Sequence, residues 1–517
     1  MAEKLSKVLS WASSKTWLLL GLSLTILGAK LQVLQVYSVD LPFQDEWEAD
    51  ALYLFKPWEE GTLHLSNFFA AHNEHRIFFT RVWELGWYVL NEGWSPQLVM
   101  TANTVLHSLL AVILYLLFES ALNKQGKVLL LFAVAFAVGM PYSTASVLVA
   151  FQSQFYFLMI FSALGIWLLV TREPFSLPWW GGMVAIGCAY FSVFAGLLGL
   201  IAVAMVFALK FLRERSLRRN EWLTIGLLVV LLGGGYSFRA EVPRHASLIA
   251  VSPFAFIASF AVAIGWPHIK ILPLGLLIYL PFGFFNLLYL RKQLTHNRFT
   301  AFLLGLGWWV LSIAAAAAYM RGASGARPAD RYWDVLILGV LVNLICLQFI
   351  LDKFSHRSEA DEGKAPFQSD KARLRSGIPD WLLVSALIWL ANLGLGLYQS
   401  GEIVFNQKLP ETRASQRLAT QHLKDYLRSG DLSHLKNKPL HETSFDGEPD
   451  YFAAILTDPT VRKTLPAPLN LISPQEGPFL RIGKWGMAWG MPVMAVGLLM
   501  LLTGTVTLLK KSQPGAV

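Results

Sequence analysis

An acidic and aromatic segment near the start of the chain, DEWEADALYLFKPW at residues 45–58, carries carboxylates that could act in catalysis. Asp45 could take a proton from a substrate hydroxyl within hydrogen-bond reach, and Glu46 is the second candidate for this role. Asp45 also has a structural interpretation, because Glu48 follows three residues later at the spacing of a helix capping box. The two roles are compatible, since a carboxylate fixed at a helix start is also a positioned base.

A second polar segment, HNEHRIFFTR at residues 72–81, follows shortly after the first. Its two histidines and one glutamate could bind a metal ion, but this is a weak metal signal, and hydrogen-bonded histidines are the alternative. Arg76 and Arg81 could pair with nearby acidic residues or face an anionic substrate.

A third segment, RGASGARPADRY at residues 321–332, places Arg321, Arg327 and Arg331 in one short loop. A guanidinium group binds phosphate through two parallel hydrogen bonds, so this loop favours a lipid phosphate or pyrophosphate as its partner. The alternative is that the arginines extend from helix ends to the membrane interface.

The composition indicates that these segments connect membrane-spanning helices. Of 517 residues, 55% are hydrophobic and 15% are charged, which is too apolar for one soluble core. The formal net charge of +9 comes mostly from basic residues in short loops, so we assign it to membrane topology and not to nucleic-acid binding. Cys188 and Cys346 both lie in apolar segments, so neither a disulfide framework nor a cysteine metal site is expected.

Apolar stretches of roughly 20 residues predict about twelve transmembrane helices in an all-α membrane protein. The apolar run at 180–211 is split near Phe194, because one helix of that length would overshoot the bilayer. The predicted helices cover residues 17–37, 97–118, 128–145, 153–170, 180–193, 195–211, 222–236, 270–290, 300–319, 332–351, 380–399 and 486–509.

Basic residues alternate between successive loops as the positive-inside rule requires, which places both termini in the cytoplasm. The first helix has no small-residue cleavage site after it, so we expect an uncleaved signal anchor. The polar stretch 356–377 is expected to be a flexible linker. The predicted organisation is a transmembrane domain at 1–399 with a first outward loop at 38–95, an outward helical block at 400–484, and a last helix with a cytoplasmic tail at 485–517.

Two of these regions have helical periodicity outside the membrane spans. In the first loop one apolar stripe predicts an interfacial helix whose aromatic face lies among lipid headgroups; it comprises Trp47, Ala51, Leu54, Phe55 and Trp58. In the later block the pattern predicts a helix that ends at Ser429-Gly430, and a second helix after Pro449. We expect this block to pack on the membrane domain or on the first loop.

Taken together, the segments resemble the C-type (GT-C) glycosyltransferases, membrane enzymes that take a sugar from a polyprenyl-phosphate or pyrophosphate carrier. The likeness rests on the acidic Asp45-Glu46 motif in the first outward loop, on the arginine-rich loop, and on a small outward portion near the C-terminus. The strings FQDEWE, HNEHRI and DRY are similar to those of bacterial members that modify surface polysaccharides such as the O-antigen of lipopolysaccharide.

The resemblance implies an inverting transfer on the periplasmic side of the bacterial inner membrane. Asp45, and less directly Glu46, would be the catalytic carboxylates. Sugar or phosphate binding would fall to Glu74, His75, Arg76, Arg321, Arg331 and Tyr332. The partners would be a polyprenyl-phosphate sugar donor, a glycan or lipid-linked acceptor, and membrane lipids. The DxD-like pair that some members use with a divalent metal is absent as such, so a Mg²⁺ or Mn²⁺ cofactor is left open.

Two other classes of function remain open at this point. A transporter or flippase of a lipid-linked or anionic solute would also need arginines and about twelve helices. The predicted helix interiors are almost free of Asp, Glu and Arg, with Lys30 close to a helix end, which favours the enzyme. A non-catalytic scaffold would instead depend on the 400–484 block and not on Asp45.

Overall fold

The computed structural model describes residues 15–323, 325, 329–362, 378–471 and 475–510. Every named element in these residues is a helix, and their one isolated extended pairing is an antiparallel bridge between His72 and His75. The predicted all-α fold is therefore confirmed. Residues 356–362 of the predicted linker are helical, as the end of the helix Trp333–Glu362, so the prediction of a flexible segment is wrong there; the rest, residues 363–377, lies outside the described residues, and so does Arg327.

The helices follow one another in three groups. The first comprises α1 (Lys15–Tyr37), a π-helix at Trp47–Phe55, α2 (Lys56–Glu59), α3 (Leu65–Phe69) and α4 (Phe78–Leu90). The second is the series α5 (Pro96–Glu119), α6 (Lys124–Gly139), α7 (Thr144–Leu148), α8 (Ser153–Thr171), α9 (Leu177–Tyr190), α10 (Leu198–Glu214), α11 (Arg219–Ser237), α12 (Pro253–Ile264), α13 (Leu272–Leu276), α14 (Leu280–Leu290), α15 (Arg298–Arg321), α16 (Trp333–Glu362) and α17 (Asp380–Ile403). The third contains a π-helix at Val404–Lys408, α18 (Leu409–Ser429), α19 (Leu440–Thr443), α20 (Pro449–Thr457), α21 (Pro459–Thr464), α22 (Pro478–Ala488) and α23 (Gly490–Lys510).

Short 3₁₀ helices join several of these elements. They lie at Ala150–Gln152, Phe194–Leu197, Pro243–Leu248, Leu277–Tyr279, Asp330–Tyr332 and Leu432–His434. We call residues 38–95 the first loop, residues 404–477 the C-terminal block, and the end of the helix bundle that carries both of them the site face.

Nine helices in the described part of the chain are long and apolar enough to cross a membrane, so the protein is a multi-pass membrane protein. The sequence predicted about twelve. The other three predicted spans contain α6, α9 and α11, of 16, 14 and 19 residues. The first two would extend only about 21–24 Å at 1.5 Å per residue, which is less than the hydrocarbon core, and α11 begins and ends with polar or glycine residues.

The apolar run at 180–211 folds as two helices, as predicted. α9 ends at Tyr190, the 3₁₀ turn at Phe194–Leu197 follows, and α10 begins at Leu198. The helix α12, in contrast, lies in a region for which no helix was predicted. Its 12 residues are apolar but too few to match the length of a membrane span.

Four of the five residues of the apolar stripe of the first loop are buried inside the protein, and only Trp58, at 45% exposure, is not. Trp47, Leu54 and Phe55 are fully buried, and the ring of Trp47 packs edge-on against Phe452 of the C-terminal block at a centroid distance of 5.1 Å. The indole Nε1 of Trp47 donates a hydrogen bond to Ser444 Oγ at 3.1 Å. The prediction that the stripe lies among lipid headgroups is therefore wrong, because a second apolar surface, invisible to helical periodicity, covers it.

The C-terminal block packs on the first loop, as expected. The predicted end of a helix at Ser429-Gly430 and the predicted second helix near Pro449 are both confirmed. Gly430 closes α18 with φ of +71°, a left-handed conformation that glycine adopts without a steric cost. The predicted boundary at residue 400 has no break in the structure, because one helical segment runs from Asp380 through Ser429. The membrane helix α17 thereby extends directly into the block.

Helices α1 and α23 pack closely through glycine. A Cβ atom on Gly28 would lie 2.2 Å from the backbone nitrogen of Met494 and 2.6 Å from the carbonyl oxygen of Gly490. Small residues let helix backbones approach in membranes, where apolar burial alone provides little driving force. This contact joins the two ends of the described chain.

We predict that Gly28→Ala lowers the free energy of unfolding by roughly 1–3 kcal/mol, because the added methyl group collides with backbone atoms that cannot move independently. Gly226→Ala is the matched control, since a Cβ there meets no described atom within 4 Å. Thermal unfolding in detergent, followed by tryptophan fluorescence, measures both variants. Equal stability of G28A and wild type would show that α1 and α23 are not packed this closely.

Candidate active site

Asp45 lies on the site face with its side chain 34% exposed. Its Oδ1 is 3.5 Å from Nε2 of His72, a ring that is itself buried. The residue that flanks the π-helix at its N-terminus is Glu46, one position later than the capping box predicted. Asp45 therefore combines access to solvent with a fixed neighbour.

Glu46 has a different environment from Asp45. It is fully buried, and its two carboxyl oxygens accept hydrogen bonds from the backbone N–H of Phe43 at 3.0 Å and of Phe151 at 3.1 Å. The second bond ties the first loop to the 3₁₀ helix at Ala150–Gln152. Burial raises the pKa of Glu46 to about 8 although these backbone donors favour its ionised form. Glu46 is thus an anchor of the loop, and Asp45 is the carboxylate that a substrate can reach.

Two further acids lie behind Glu46. Asp50 and Glu84 are buried, and neither carboxyl group has a hydrogen-bond partner among the described residues. Burial raises the pKa of both carboxyl groups well above the ordinary values, and repulsion between neighbouring acids adds to the effect. Arg81, also buried, opposes the shift at Asp50 while its Nη1 lies 2.6–3.2 Å from the carbonyl oxygens of Asn67, Phe68 and Ala70.

A tight turn carries the second group of site residues. The backbone of His72 and His75 forms two reciprocal hydrogen bonds of 2.8 and 3.0 Å, and Asn73 between them has φ of +47°. This geometry places Asp45's neighbour His72 at one end of the turn and Glu74 and His75 at the other. The turn is the element that connects the acidic segment to the arginine loop.

Glu74 forms an ion pair with Arg321 at the end of α15. Its Oε1 lies 3.1 Å from Arg321 Nη2 and 2.7 Å from Nδ1 of His245. Burial opposes ionisation of Glu74, but His75, His245 and Arg321 outweigh it and lower the pKa of this carboxyl group. The other guanidinium nitrogen of Arg321, Nη1, is buried and has no hydrogen-bond partner among the described residues. Arg321 is therefore held on one side and carries an unused donor on the other.

His75 lies close to both arginines of the loop. Burial lowers its pKa to about 4, and the charges of Arg331 and Arg321 contribute to the lowering while Glu74 opposes it. The imidazole is therefore neutral near pH 7. Its Nδ1 accepts a hydrogen bond from the backbone N–H of Phe194 at 3.4 Å, which assigns the proton to Nε2.

Arg331 and Tyr332 complete the predicted set. The Arg331 guanidinium lies 5.9 Å from the centre of the Tyr332 ring, and Arg331 forms no ion pair with a described residue. The adjacent Asp330 accepts a salt bridge from Lys408 at 3.1 Å, which fixes the 3₁₀ helix Asp330–Tyr332 to the start of the C-terminal block.

Arg76 has a different position from the other predicted binding residues. Its two terminal nitrogens donate hydrogen bonds to the carbonyl oxygens of Phe69 at 2.8 Å and Phe238 at 3.4 Å. These contacts join the first loop to the end of α11. They account for Arg76 without a substrate.

A divalent metal was left open by the sequence, so we tested whether the side chains could hold one. Among residues 15–323, 325, 329–362, 378–471 and 475–510, no three His, Cys, Asp or Glu side chains are grouped to hold a metal ion. His72 and His75, whose spacing suggested a metal, instead form the two ends of the turn.

Sequence reasoning missed His245, Asp50 and Glu84. His245 is brought to Glu74 because the segment before α12 pairs with the end of α15, through hydrogen bonds from Ala250 N to Tyr319 O and from Ala323 N to Leu248 O. No local pattern reports such a contact. Glu84 did carry a signal, since it lies within a strongly apolar helical segment, whereas Asp50, beside three other acids, was expected to lie at the membrane surface.

Comparison with known proteins finds a structural neighbour among the solved structures. No protein-family model matches the sequence, and no curated protein matches it. The fold is similar to that of the archaeal oligosaccharyltransferase AglB from Archaeoglobus fulgidus, solved in complex with an inhibitory peptide and a dolichol-phosphate. The match has a TM-score of 0.45 and 11% sequence identity. It covers 87% of this chain and 61% of the AglB chain, so this chain spans less than two thirds of that protein.

We predict that the ionisation of Glu46 destabilises the folded protein as pH rises from about 5 to about 8, an effect that comparison with a variant lacking this carboxyl group isolates. Unfolded Glu46 ionises near its ordinary pKa of 4.5, whereas the folded residue stays protonated up to about 8, so rising pH favours the unfolded state across this window. Asp50 and Glu84 act in the same direction. The unfolding temperature of the Glu46→Gln variant should decline less between these pH values than that of wild type. The loss in free energy of unfolding between pH 5 and pH 8 should be smaller in the variant by on the order of a few kcal/mol.

Glu448→Gln is the control, because Glu448 is exposed in the C-terminal block. Its unfolding temperature should follow that of wild type at every pH. An identical pH profile for E46Q and wild type would contradict the buried, protonated state of Glu46.

Proposed function

We propose that the protein is a glycosyltransferase that moves a sugar from a polyprenyl-phosphate donor to a cell-surface glycan or lipid-linked acceptor. One observation carries the proposal: a single short turn, residues 72–75, connects an accessible carboxylate at Asp45 to the largely buried guanidinium of Arg321, whose Nη1 has no hydrogen-bond partner among the described residues. A base and an anion-binding group held by one element are what transfer from a phosphate leaving group requires.

Asp45 is the general base of the proposed reaction. Its carboxylate is accessible, while those of Glu46, Asp50 and Glu84 are buried. The His72 ring at 3.5 Å restricts its orientation, and the ring of Phe151 packs on His72 at a centroid distance of 5.2 Å. A positioned carboxylate can accept the proton of an acceptor hydroxyl without a change of rotamer.

Arg321 and Arg331 are the phosphate-binding groups. Glu74 holds Arg321 through Nη2, which leaves Nη1 free to donate a hydrogen bond to a phosphate oxygen. Arg331 supplies a second cation without a protein counter-ion among the described residues. The neutral imidazole of His75, close to Arg321 and Arg331, adds an N–H donor. Because it is uncharged, it neither repels these arginines nor competes with a phosphate for them. Guanidinium groups suit this task because they remain charged and bind phosphate in a planar geometry.

The reaction is a displacement at the anomeric carbon with inversion. The acceptor oxygen forms a bond to this carbon as its proton passes to Asp45, and the bond from the carbon to the donor's phosphate oxygen breaks. The polyprenyl phosphate leaves with that electron pair, and its added negative charge is stabilised by Arg321 and Arg331. Stabilisation of charge that develops in the transition state lowers the barrier more than equal binding of the substrate would.

The location of the reaction follows from the charge pattern of the loops. We place the site face on the periplasmic side of a bacterial inner membrane, with both termini in the cytoplasm, because the basic loops lie at the opposite ends of the helices. A lipid-borne donor would then approach from the outer leaflet. Modification of a surface polysaccharide such as O-antigen is compatible with this side of the membrane.

A transporter or flippase of a lipid-linked or anionic solute is the second candidate, and one observation favours it. Lys30, in the middle of α1, is 1% exposed and donates a hydrogen bond to Met140 O at 3.0 Å, while Asp334 and His107 are also buried in the bundle. Lys30 and Asp334 interact electrostatically. Buried ionisable residues in membrane helices often mark transport pathways. We rank this candidate second because it leaves Asp45 and the unused Arg321 donor without a role.

We predict that Asp45→Asn lowers kcat by about 10²–10⁴-fold, because it removes the base and keeps the shape of the side chain. Arg321→Ala should lower kcat by about 10²–10³-fold through loss of charge stabilisation. The measurement is release of polyprenyl phosphate, a product common to every acceptor. It uses purified protein in lipid vesicles with a panel of polyprenyl-phosphate-linked hexoses and pentoses and a membrane glycolipid extract.

Asp446→Asn and Arg428→Ala are matched controls, since both residues are exposed in the C-terminal block. They should retain wild-type activity, and unfolding temperatures should confirm that all four variants are folded. Full activity in D45N or R321A would contradict the assignment. Movement of the lipid-linked sugar across the vesicle membrane by wild type and D45N, without sugar transfer by either, would favour the transporter.

A further inference from the structure

A polar cavity lies at the end of the bundle opposite the site face. It has a volume of about 470 Å³ and lies between the ends of α8 and α10 and the beginnings of α9, α11 and α15. Helix α15 begins at Arg298 in this cavity and ends at Arg321 in the candidate active site. At 1.5 Å per residue its 24 residues span about 36 Å, so the two sites lie near opposite membrane surfaces. We call this cavity the basal pocket.

The basal pocket has an excess of positive charge. Four cationic side chains line it, Arg172, Lys210, Arg218 and Arg298, against the two carboxylates of Glu173 and Glu221. The carboxylates are already used inside the protein: Glu221 pairs with the buried Lys210 at 2.6 Å, and Glu173 pairs with Arg218 at 3.4 Å.

Two cations of the pocket therefore remain uncompensated. The guanidinium groups of Arg172 and Arg298 form no hydrogen bond or ion pair with a described residue, and both residues are exposed at the rim. Arg172 follows the end of α8, and Arg298 opens α15. They belong to different helices, so the pocket holds them together only because the bundle is folded.

Helix starts add to the positive potential. The residues that flank the N-termini of α9, α11 and α15, namely Ser176, Arg218 and Asn297, all line the pocket. These helices have 14, 19 and 24 residues. The N-terminus of a helix carries a partial positive charge and backbone N–H groups that favour anions.

The floor of the pocket is apolar. Val170 lies at the end of α8, and Val206 and Phe207 lie in α10, a helix that is long and apolar enough to cross the membrane. The cavity thus has a cationic rim beside this apolar surface, which we call the apolar wall, at the level where membrane headgroups meet acyl chains. This division matches an amphipathic ligand better than a fully soluble one.

We propose that the basal pocket binds the phosphate group of an anionic membrane lipid, with Arg172 and Arg298 as the groups that contact it. Inorganic phosphate shares this chemistry but would leave the apolar wall without a role. The leaflet opposite the site face is the cytoplasmic one in the proposed topology, and anionic lipids attract basic residues there. The proposal does not depend on the glycosyltransferase activity.

The test is native mass spectrometry of the delipidated full chain with added phosphatidylglycerol, phosphatidylcholine or inorganic phosphate. Wild type should bind phosphatidylglycerol at least tenfold more tightly than phosphatidylcholine. The double variant Arg172→Gln, Arg298→Gln should lose roughly tenfold to thirtyfold in affinity for phosphatidylglycerol and nothing for phosphatidylcholine. The control variant Arg417→Gln, Arg428→Gln removes the same charge from exposed positions of α18 and should bind as wild type does.

Equal affinity for the two lipids, or an unchanged affinity in the double variant at Arg172 and Arg298, would overturn the proposal. An equal loss of affinity for phosphatidylglycerol in both double variants would overturn it as well, because binding would then depend only on the net charge of the protein. Binding of inorganic phosphate that depends on these two arginines, without preference for phosphatidylglycerol, would reject the lipid as the source. Unfolding temperatures of the variants confirm that the compared proteins are folded.

Discussion

The ion pair between Glu74 and Arg321 is the interaction on which the arrangement of the site depends. It joins the first loop, which comes early in the chain, to the end of α15, nearly 250 residues later. Because the carboxylate holds one nitrogen of the guanidinium and His245 lies beside it, the side chain of Arg321 is fixed before any substrate binds. Removing either partner would leave a largely buried charge without compensation, which is strongly destabilising in proteins.

The rest of the site face supports this pair through packing. The C-terminal block covers the apolar stripe of the first loop, with Trp47 between Trp94 and Phe452, and Lys408 holds Asp330 beside Arg331. Gln416 of α18 also donates a hydrogen bond to Leu148 O of α7 at 3.2 Å. The block is therefore packed as an integral part of the fold and covers the first loop. Its proposed contribution to function is to hold the first loop and the arginine loop in place.

The buried acids show that this arrangement has an energetic cost. Asp50 and Glu84 have no hydrogen-bond partners among the described residues, and a buried carboxyl group of this kind is stable only when it is protonated. An apolar residue at either position would pack without this penalty. Of the four acids Asp45, Glu46, Asp50 and Glu84, Asp45 is the one whose side chain reaches solvent.

Local patterns in the sequence were enough to predict the helical fold and the division of residues 180–211, and they named both partners of the Glu74–Arg321 ion pair. Asp45, Glu74, His75 and Arg321 were all named from residue type and loop position. Their connections could not be predicted, because the turn at 72–75 and the contact of His245 with Glu74 depend on pairing between distant segments. The same limit explains the error at Trp47, since an amphipathic stripe reports that one face is covered and not whether lipid or protein covers it.

The most direct test of the central claim is an experimental structure of the protein in lipid vesicles or nanodiscs with polyprenyl phosphate bound. The account predicts that a phosphate oxygen lies within hydrogen-bond distance of Arg321 Nη1, that Arg331 is on the same side of the phosphate, and that Asp45 faces the same cavity. A phosphate bound away from both arginines, or an Asp45 side chain that does not face it, would contradict the account.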